Sequence, residues 1–359
     1  MNKQFIKTYG YNDFFENQIV SQNIDTEQFE VARVTEVQKE SYKIAVNGNE
    51  KFAKLKGSHF YGNSTAIYPV VGDFVIVKEN LLGDDIIYNV LERKTKFSRL
   101  DTATELEQMV AVNFDYVFIM MSLNKDFNLK RLERYLAVAW QSGAMPIIIL
   151  TKLDLCEDIE YYRALIDEVA IGIPIVAVSS FTGEGLLELA PYLQAEKTIV
   201  FLGSSGIGKS SLLNALAGAR LMNVNDIRED DSKGRHTTTY RHLFKLENGS
   251  IIIDTPGMRE LGMWDAAEGL ESAFTDIEAL AKECKFSNCN HEKEPGCAIR
   301  SALASGELSS TRWHNYLKLK KEVAFAIRKQ SKTANAAEKS KWKAIGKMQK
   351  EIYKTRKKR

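Results

Sequence analysis

The chain has 359 residues, enough for two or three domains, and only four cysteines. Its 44% apolar and 27% charged residues describe a globular protein and exclude a disordered chain, a collagen, a coiled coil or a disulfide-stapled scaffold. The net charge of +2 hides an asymmetry: Lys318 to Arg359 holds 16 basic and 3 acidic residues, leaving 33 basic and 44 acidic in the 317 before them. An acidic body with a basic tail points to a polyanionic partner, nucleic acid or a particle containing it, against the plainer role of a solubilising tail.

The opening residues, MNKQFIKTYGYNDFFENQIV, lack a sustained apolar stretch before a small-residue cleavage site, and no window reaches 18 apolar residues. A cytoplasmic protein with reduced thiols and no membrane partner is expected. Residues 1–27 carry no clear pattern. From Phe29, FEVARVTEV, SYKIAVNG, FAKLKG, VGDFVIV and DIIYNVLER read as five short strands separated by Gly, Asn and Asp turns, with Gly72-Asp73 a tight turn into its strand. Five such strands suit a small closed barrel of the kind that binds oligonucleotides on one face. Tyr42, Phe52, Phe60 and Tyr61, with Lys54 and Lys56, offer rings and charge for RNA, although rings also fill small barrels. KTKFSRLDTATE reads as a linker.

Strands and helices then alternate. DYVFIMMSL is a buried strand, NLKRLERYLAVAWQSG an amphipathic helix ending at Gly143, PIIILTKLDL a strand with a polar end, IEYYRALIDEVA a helix and IPIVAVSS a strand. TIVFLGSSGIGKS, the helix SLLNALAG and SIIIDTPG follow. A mostly parallel sheet with covering helices is expected, binding its ligand at the carboxyl ends of the strands. After Trp264 come the helical stretches SAFTDIEALAKEC and RSALASGELSSTRWHNYLKLKKEVAFAIRK, around a short Cys/His segment, then a basic terminus in which Lys341, Lys343, Lys347, Lys350 and Lys354 recur at helical spacing.

Gly203-Ser204-Ser205-Gly206-Ile207-Gly208-Lys209-Ser210 is G-x-x-x-x-G-K-S between a strand and a helix, with Ser211 next in the helix. Its glycines let several backbone N–H groups face one phosphate, and the helix N-terminus adds positive potential. Lys209 can reach the β- and γ-phosphates and the Ser210 hydroxyl can ligate Mg²⁺. Asp254, ending IIID, suits the place that holds Mg²⁺ through water, and Gly257 offers an N–H to the γ-phosphate. Between them, GRHTTTYR can bring a threonine hydroxyl onto Mg²⁺, Thr238 first and Thr237 next. These parts describe phosphoryl transfer to water by positioning and charge.

Thr151-Lys152-Leu153-Asp154 ends a strand. A carboxylate there accepts from guanine N1–H and N2–H₂, a donor pair adenine lacks. The Lys152 stem can lie along the base, and Ser179-Ser180, ending the next strand, can contact guanine O6. Cys284, Cys289, His291 and Cys297 form C-x₄-C-x-H-x₅-C, three thiols and an imidazole that suit a closed tetrahedral zinc site with a structural role. Cys156 lies apart from it.

The base segments precede the phosphate segments, the reverse of ordinary GTPases. With TKLD before GSSGIGKSSLLN, then GRHTTT, DTPGMRELG and the Cys/His knuckle, the chain resembles, over nearly its whole length, the circularly permuted, small-ribosomal-subunit-dependent GTPases of bacteria, the ribosome biogenesis GTPase A type. The resemblance implies an N-terminal OB-type β-barrel (1–97), a central permuted α/β P-loop GTPase domain (98–271) and a C-terminal α-helical zinc-binding domain with its basic tail (272–359). It implies a monomer that binds the 30S subunit and 16S rRNA and hydrolyses GTP to GDP there late in maturation, using Mg²⁺ and one Zn²⁺. Two departures from the general GTPase pattern stand out. Thr151 replaces the asparagine that ties base to phosphate loop, losing at least one bond or handing it to water. Met258 follows Gly257 where glutamine would orient water; the resemblance points to His236 in that role, with Arg235 the alternative for charge neutralisation. Two other readings share the motifs: an rRNA-binding assembly factor gated by nucleotide without turnover, and a nucleic-acid-dependent ATPase.

Overall fold

The computed structural model describes residues 2–38, 41–57, 67–100, 107–124, 126–222, 241–254 and 267–330. The chain forms two compact units, Met1–Gly262 and Met263–Arg359.

The first unit opens with helices α1 (Lys3–Lys7) and α2 (Asp13–Ser21), whose first turns are capped by the side chains of Asn2 and Asn12. Strands β1 (Glu30–Val37), β2 (Tyr42–Val46), β3 (Asn49–Leu55), β4 (Phe74–Lys78) and β5 (Asp85–Val90) then close a ring. Going round it, β1 pairs with β2, β2 with β3, β3 with β5, β5 with β4, and β4 with β1. The two-residue strand period sorts the side chains. Ala32, Val34, Ile44, Val75, Val77 and Ile87 fill the interior. Val31, Phe74 and Ile76 point out and are covered by Ile6, Tyr11, Phe15 and Ile19 of the opening helices and the turn between them. The patternless first residues are thus the cap on the barrel's outer wall. Tyr42 is a core residue of the barrel, 8% exposed.

The segment read as a linker is a strand. β6 (Lys96–Leu100) pairs antiparallel with β7 (Glu107–Val112), which sequence reading did not register. Phe97 anchors it, buried at 4.7 Å from the Phe114 ring, and two apolar residues three apart, Phe97 and Leu100, leave no two-residue period to read in a polar run.

The nucleotide-type sheet follows: β8 (Tyr116–Ser122), α3 (Leu129–Gln141), β9 (Met145–Thr151), α4 (Ile159–Asp167), β10 (Ile175–Val178), β11 (Thr198–Leu202), α5 (Lys209–Ala217), β12 (His242–Lys245) and β13 (Ile251–Asp254). Its order is β10-β9-β8-β11-β13-β12, parallel except for β12, which joins β13 antiparallel. The chain lays down the β8–β10 half before the β11–β13 half, the rotated order read from the motifs. Phe118, Met120, Ile147, Ile149, Phe201 and Ile252 form one core face with Leu212 and Leu213 of α5.

A buried arginine joins barrel and sheet. Arg33, between inward-facing neighbours on β1, points outward and is 1% exposed. Its guanidinium donates to the Tyr9 carbonyl, to Thr198 Oγ1 at 3.0 Å at the start of β11, and to the Asn113 carbonyl at 2.7 Å. Burial pulls its pKa down to about 10, against the upward pull of Asp115 and Asp73, so it stays charged at neutral pH. Gly72 (φ +95°) completes the joint: a Cβ there would meet the Val112 carbonyl at 2.2 Å.

The second unit holds α6 (Ala267–Ala273), α7 (Thr275–Lys282), α8 (Ala298–Ser305) and α9 (Ser310–Gln330). Arg312 on α9 grips Asp276 on α7 through two nitrogens at 2.7 and 2.8 Å. No helix among the described residues is long and apolar enough to cross a membrane.

Replacing Arg33 by leucine strands three acceptors in a buried seam and is expected to cost about 3 kcal/mol, with lysine restoring only part of it, as read by urea unfolding of the full chain.

Candidate functional site

The carboxyl ends of β9, β10, β11 and β13 carry the residues singled out by sequence. Beyond β11, Gly203 packs against β8 so closely that a Cβ would lie 3.0 Å from the Met120 carbonyl. Gly206 (φ +72°) and Gly208 (φ +106°) take left-handed turns, while the Ile207 side chain, 1% exposed, pins the loop to the core. Lys209 begins α5 and folds back, its Nζ donating to the carbonyls of Gly203 at 2.8 Å and Ser204 at 2.6 Å. The ammonium is thereby held over the loop. No side chain caps α5, whose first turn carries Ser210 and Ser211, both half-buried; Ser205 is exposed on the loop.

Thr151 ends β9 and is 2% exposed. Its hydroxyl donates to the Ile207 carbonyl at 2.7 Å, across 56 residues of chain. The base segment is therefore tied to the phosphate loop directly by the threonine; a second bond of the kind an amide makes is beyond a single hydroxyl. Lys152 follows in a left-handed conformation (φ +63°), and the chain winds into a 3₁₀ turn, Leu153–Leu155. Asp154 is exposed there, its carboxylate accepting from the Ser179 hydroxyl at 2.5 Å. Ser179, at the end of β10 and 0% exposed, also accepts from the N–H groups of Phe181 and Thr182. It thus fixes its own loop and the Asp154 carboxylate together. Ser180 follows it, half-buried. Gly185 closes this loop where a Cβ would meet the Ala177 carbonyl at 1.9 Å.

Asp254 ends β13, 9% exposed, in register with His242 on β12. Arg235, His236, Thr237, Thr238, Gly257 and Met258 lie outside the described residues. Sequence reading missed Asp126 and Arg131. Asp126 accepts from the Ser204 hydroxyl at 2.9 Å and pairs with Arg131 at 2.9 Å, steadying the phosphate loop from the end of β8. Only the position of Asp126, just past a buried strand end, hinted at this.

Among the barrel residues expected to face RNA, Tyr42 is interior, Phe52 is 45% exposed, Lys54 pairs with Asp84 at 2.9 Å and Lys56 lies 4.2 Å over the Tyr88 ring. Phe60 and Tyr61 lie outside the described residues.

In the second unit the ligand atoms of Cys284, Cys289, His291 and Cys297 all lie within 4.8 Å of one another. Cys284 and Cys297 sulfurs are 3.9 Å apart and each is 3.5 Å from His291 Nδ1. Tetrahedral ligands about 2.3 Å from one ion stand about 3.8 Å apart, so three thiols and an imidazole here fit a closed, soft-metal site. Trp313 packs edge-on to His291 at 5.7 Å.

A profile of the RsgA GTPase family matches residues 90–264. Over 354 residues, 99% of each chain, the sequence is 46% identical to small ribosomal subunit biogenesis GTPase RsgA 1 of Listeria monocytogenes. It is 47% identical over the same share to the protein of that name in Listeria innocua.

The chain belongs to the RsgA GTPase family.

Two solved structures agree in fold. YjeQ from Thermotoga maritima matches at a TM-score of 0.60 and 28% identity, over 82% of this chain and 99% of that one. YloQ, a circularly permuted GTPase, matches at 0.59 and 25%, over 84% and 97%. As an RsgA-family protein the chain is a GTP hydrolase.

Thr151→Val keeps the shape and leaves the Ile207 carbonyl without its donor; it is expected to weaken GTP and GDP alike by about tenfold, measured by calorimetry. Asp154→Asn should instead shift preference from guanine toward xanthine nucleotides. Stripping metal with a chelator, or Cys297→Ser, should lower the melting temperature of the second unit and leave guanine-nucleotide affinity unchanged.

Proposed function

We propose that the chain hydrolyses GTP to GDP and phosphate on the small (30S) ribosomal subunit, contacting 16S rRNA, during late maturation of that particle. The Thr151–Ile207 hydrogen bond carries this reading, because it holds the segment ending in Asp154 against the loop ending in Lys209. One guanine nucleotide then spans both. Asp154, oriented by Ser179, accepts from the base, while Lys152 and Ser180 flank it. The amides of Gly203–Ser210 cradle the phosphates, and Lys209 exchanges its loop carbonyls for phosphate oxygens.

Ser210 and Thr238 would hold Mg²⁺ directly and Asp254 through water; the ion, when bound, neutralises charge on the phosphates. Gly257 would offer its N–H to the γ-phosphate and His236 would position the attacking water. Zinc fits the Cys₃His cluster as a structural ion, fixing a short segment between α7 and α8. A three-part division follows these roles, an OB-type barrel for RNA, the GTPase and the zinc unit, with β6 and α6 running across the bounds expected at 97/98 and 271/272. The names of the Listeria relatives support the particle, and the +13 charge of residues 318–359 supports a polyanion.

GTP turnover titrated with purified ribosomal subunits tests the proposal. Small subunits should raise the rate well above the intrinsic one and large subunits should not; equal response to both, or to neither, refutes it.

A further inference from the structure

Strands β9 and β10 lie parallel with Val178 beside Thr151, so two chains leave the sheet side by side at the base end of the site. One carries Lys152 and Asp154. The other carries Ser179, Ser180 and then Phe181, a residue that the sequence reading passed over.

The loop presenting Phe181 is closely pinned. The Ser179 N–H donates to the Glu184 carbonyl at 2.9 Å, the Gly183 N–H to the Ser179 carbonyl at 3.0 Å, and the Glu184 N–H to the Thr182 hydroxyl at 3.3 Å. The Phe181 N–H is held by Ser179 Oγ at 3.2 Å, and the same hydroxyl donates to Asp154 at 2.5 Å. Two hydrogen bonds therefore connect the Phe181 backbone to the carboxylate proposed to read the base. On this rigid mounting the Phe181 side chain is 89% exposed, more than any other Phe, Tyr or Trp among the described residues.

A lone exposed ring needs no explanation on an open surface. This one is fixed next to a base-binding carboxylate, and a phenyl side chain is long enough to reach a purine that the carboxylate holds by its edge. Leu155 and Leu187, in the 3₁₀ turns that follow Lys152 and Gly185, are also exposed, and with Phe181 they would make a patch for a protein partner. The anchorage of Phe181 to Ser179 favours the nucleotide over that patch, because it fixes the ring relative to Asp154 and not relative to either leucine.

We propose that Phe181 is a nucleotide-binding residue whose ring lies against the guanine of GTP and GDP. The inference rests on the base site proposed above. Asp154 supplies selectivity through the N1–H and N2–H₂ donors. The ring supplies affinity by removing from water a purine face that an edge contact leaves wet. It offsets the bond that Thr151, with one hydroxyl, does not make.

The test uses the full chain without ribosomes. Phe181→Ala should weaken GDP about tenfold by calorimetry, leave pyrophosphate binding and the melting temperature of the nucleotide-free protein unchanged, and be rescued by Phe181→Tyr. In Phe181→Trp, GDP should quench the added indole emission, read as a difference from the parent chain with its four tryptophans, and pyrophosphate should not. Unchanged GDP affinity in Phe181→Ala, an equal loss for pyrophosphate, no rescue by tyrosine, or an indole that GDP does not quench would each overturn the proposal. So would a defect confined to turnover stimulated by small subunits, which would assign the ring to a protein or RNA partner instead. Asp154→Asn run beside these variants separates the two readings: a shift toward xanthine nucleotides with no effect of Phe181→Ala sinks this inference alone, whereas no shift sinks the base site itself.

Discussion

One hydroxyl sets the geometry on which nucleotide binding rests. The carbonyl of Ile207 belongs to a loop whose neighbours Gly206 and Gly208 both take left-handed backbone, and such a loop has many ways to sit if nothing holds it. Two anchors hold it. The Ile207 side chain is locked in the sheet's core, and its carbonyl is locked to Thr151. Because Thr151 is followed by a left-handed Lys152 and a 3₁₀ turn, the same bond fixes where Asp154 emerges. Ser179 then fixes how its carboxylate is turned. The spacing between the segment ending in Asp154 and the loop ending in Lys209 is thus set by hydrogen bonds within the protein, the fixed geometry that preorganisation requires.

The second constraint is the seam at Arg33. A small barrel on a tether would be free to reorient, but here a fully buried cation spends its hydrogen bonds on three different segments, one of them the first residue of the strand that feeds the phosphate loop. An arginine suits this role because its planar fork can donate in several directions while keeping its charge even when burial depresses its pKa. Barrel and sheet accordingly share one continuous hydrogen-bonded ladder through Glu36 and His242.

Much of this was legible beforehand, for definite reasons. The five barrel strands are short runs set apart by Gly, Asn and Asp turns, the parallel sheet strands are uninterrupted apolar runs, and the phosphate loop and the Cys/His spacing are chemically specific. What escaped was whatever depends on a single residue in an uninformative setting. Arg33 reads as one more polar position on a strand, and only the tertiary fold shows that its side faces another layer. Phe97 anchors KTKFSRL with only Leu100, three residues on, beside it, a spacing that is not a strand's. The four residues of β12 are too few for a period, and their pairing is set by β13 and not by their own propensity. Asp126 and Arg131 act on a loop nearly eighty residues away in the chain, beyond any local pattern.

The rotated chain order has a consequence of its own. In an unpermuted arrangement the strand ending in Asp254, the carboxylate proposed to hold Mg²⁺ through water, would lead on into further strands of the same sheet. Here β13 is the last strand among the described residues, and only 12 residues separate Asp254 from α6 of the second unit. The segment assigned to the γ-phosphate, through Gly257, is therefore also the covalent lead into the unit that carries the Cys₃His cluster and the basic terminus. On the other side of the same carboxylate stands His242, and beyond it the barrel. In chain order, permutation thus sets Asp254 directly ahead of the lead into the second unit, while strand pairing through His242 connects the same strand end to the barrel. An unpermuted order would lead into the second unit from the strands beside Asp154 instead, the end proposed to hold the base, which loss of a phosphate leaves unchanged.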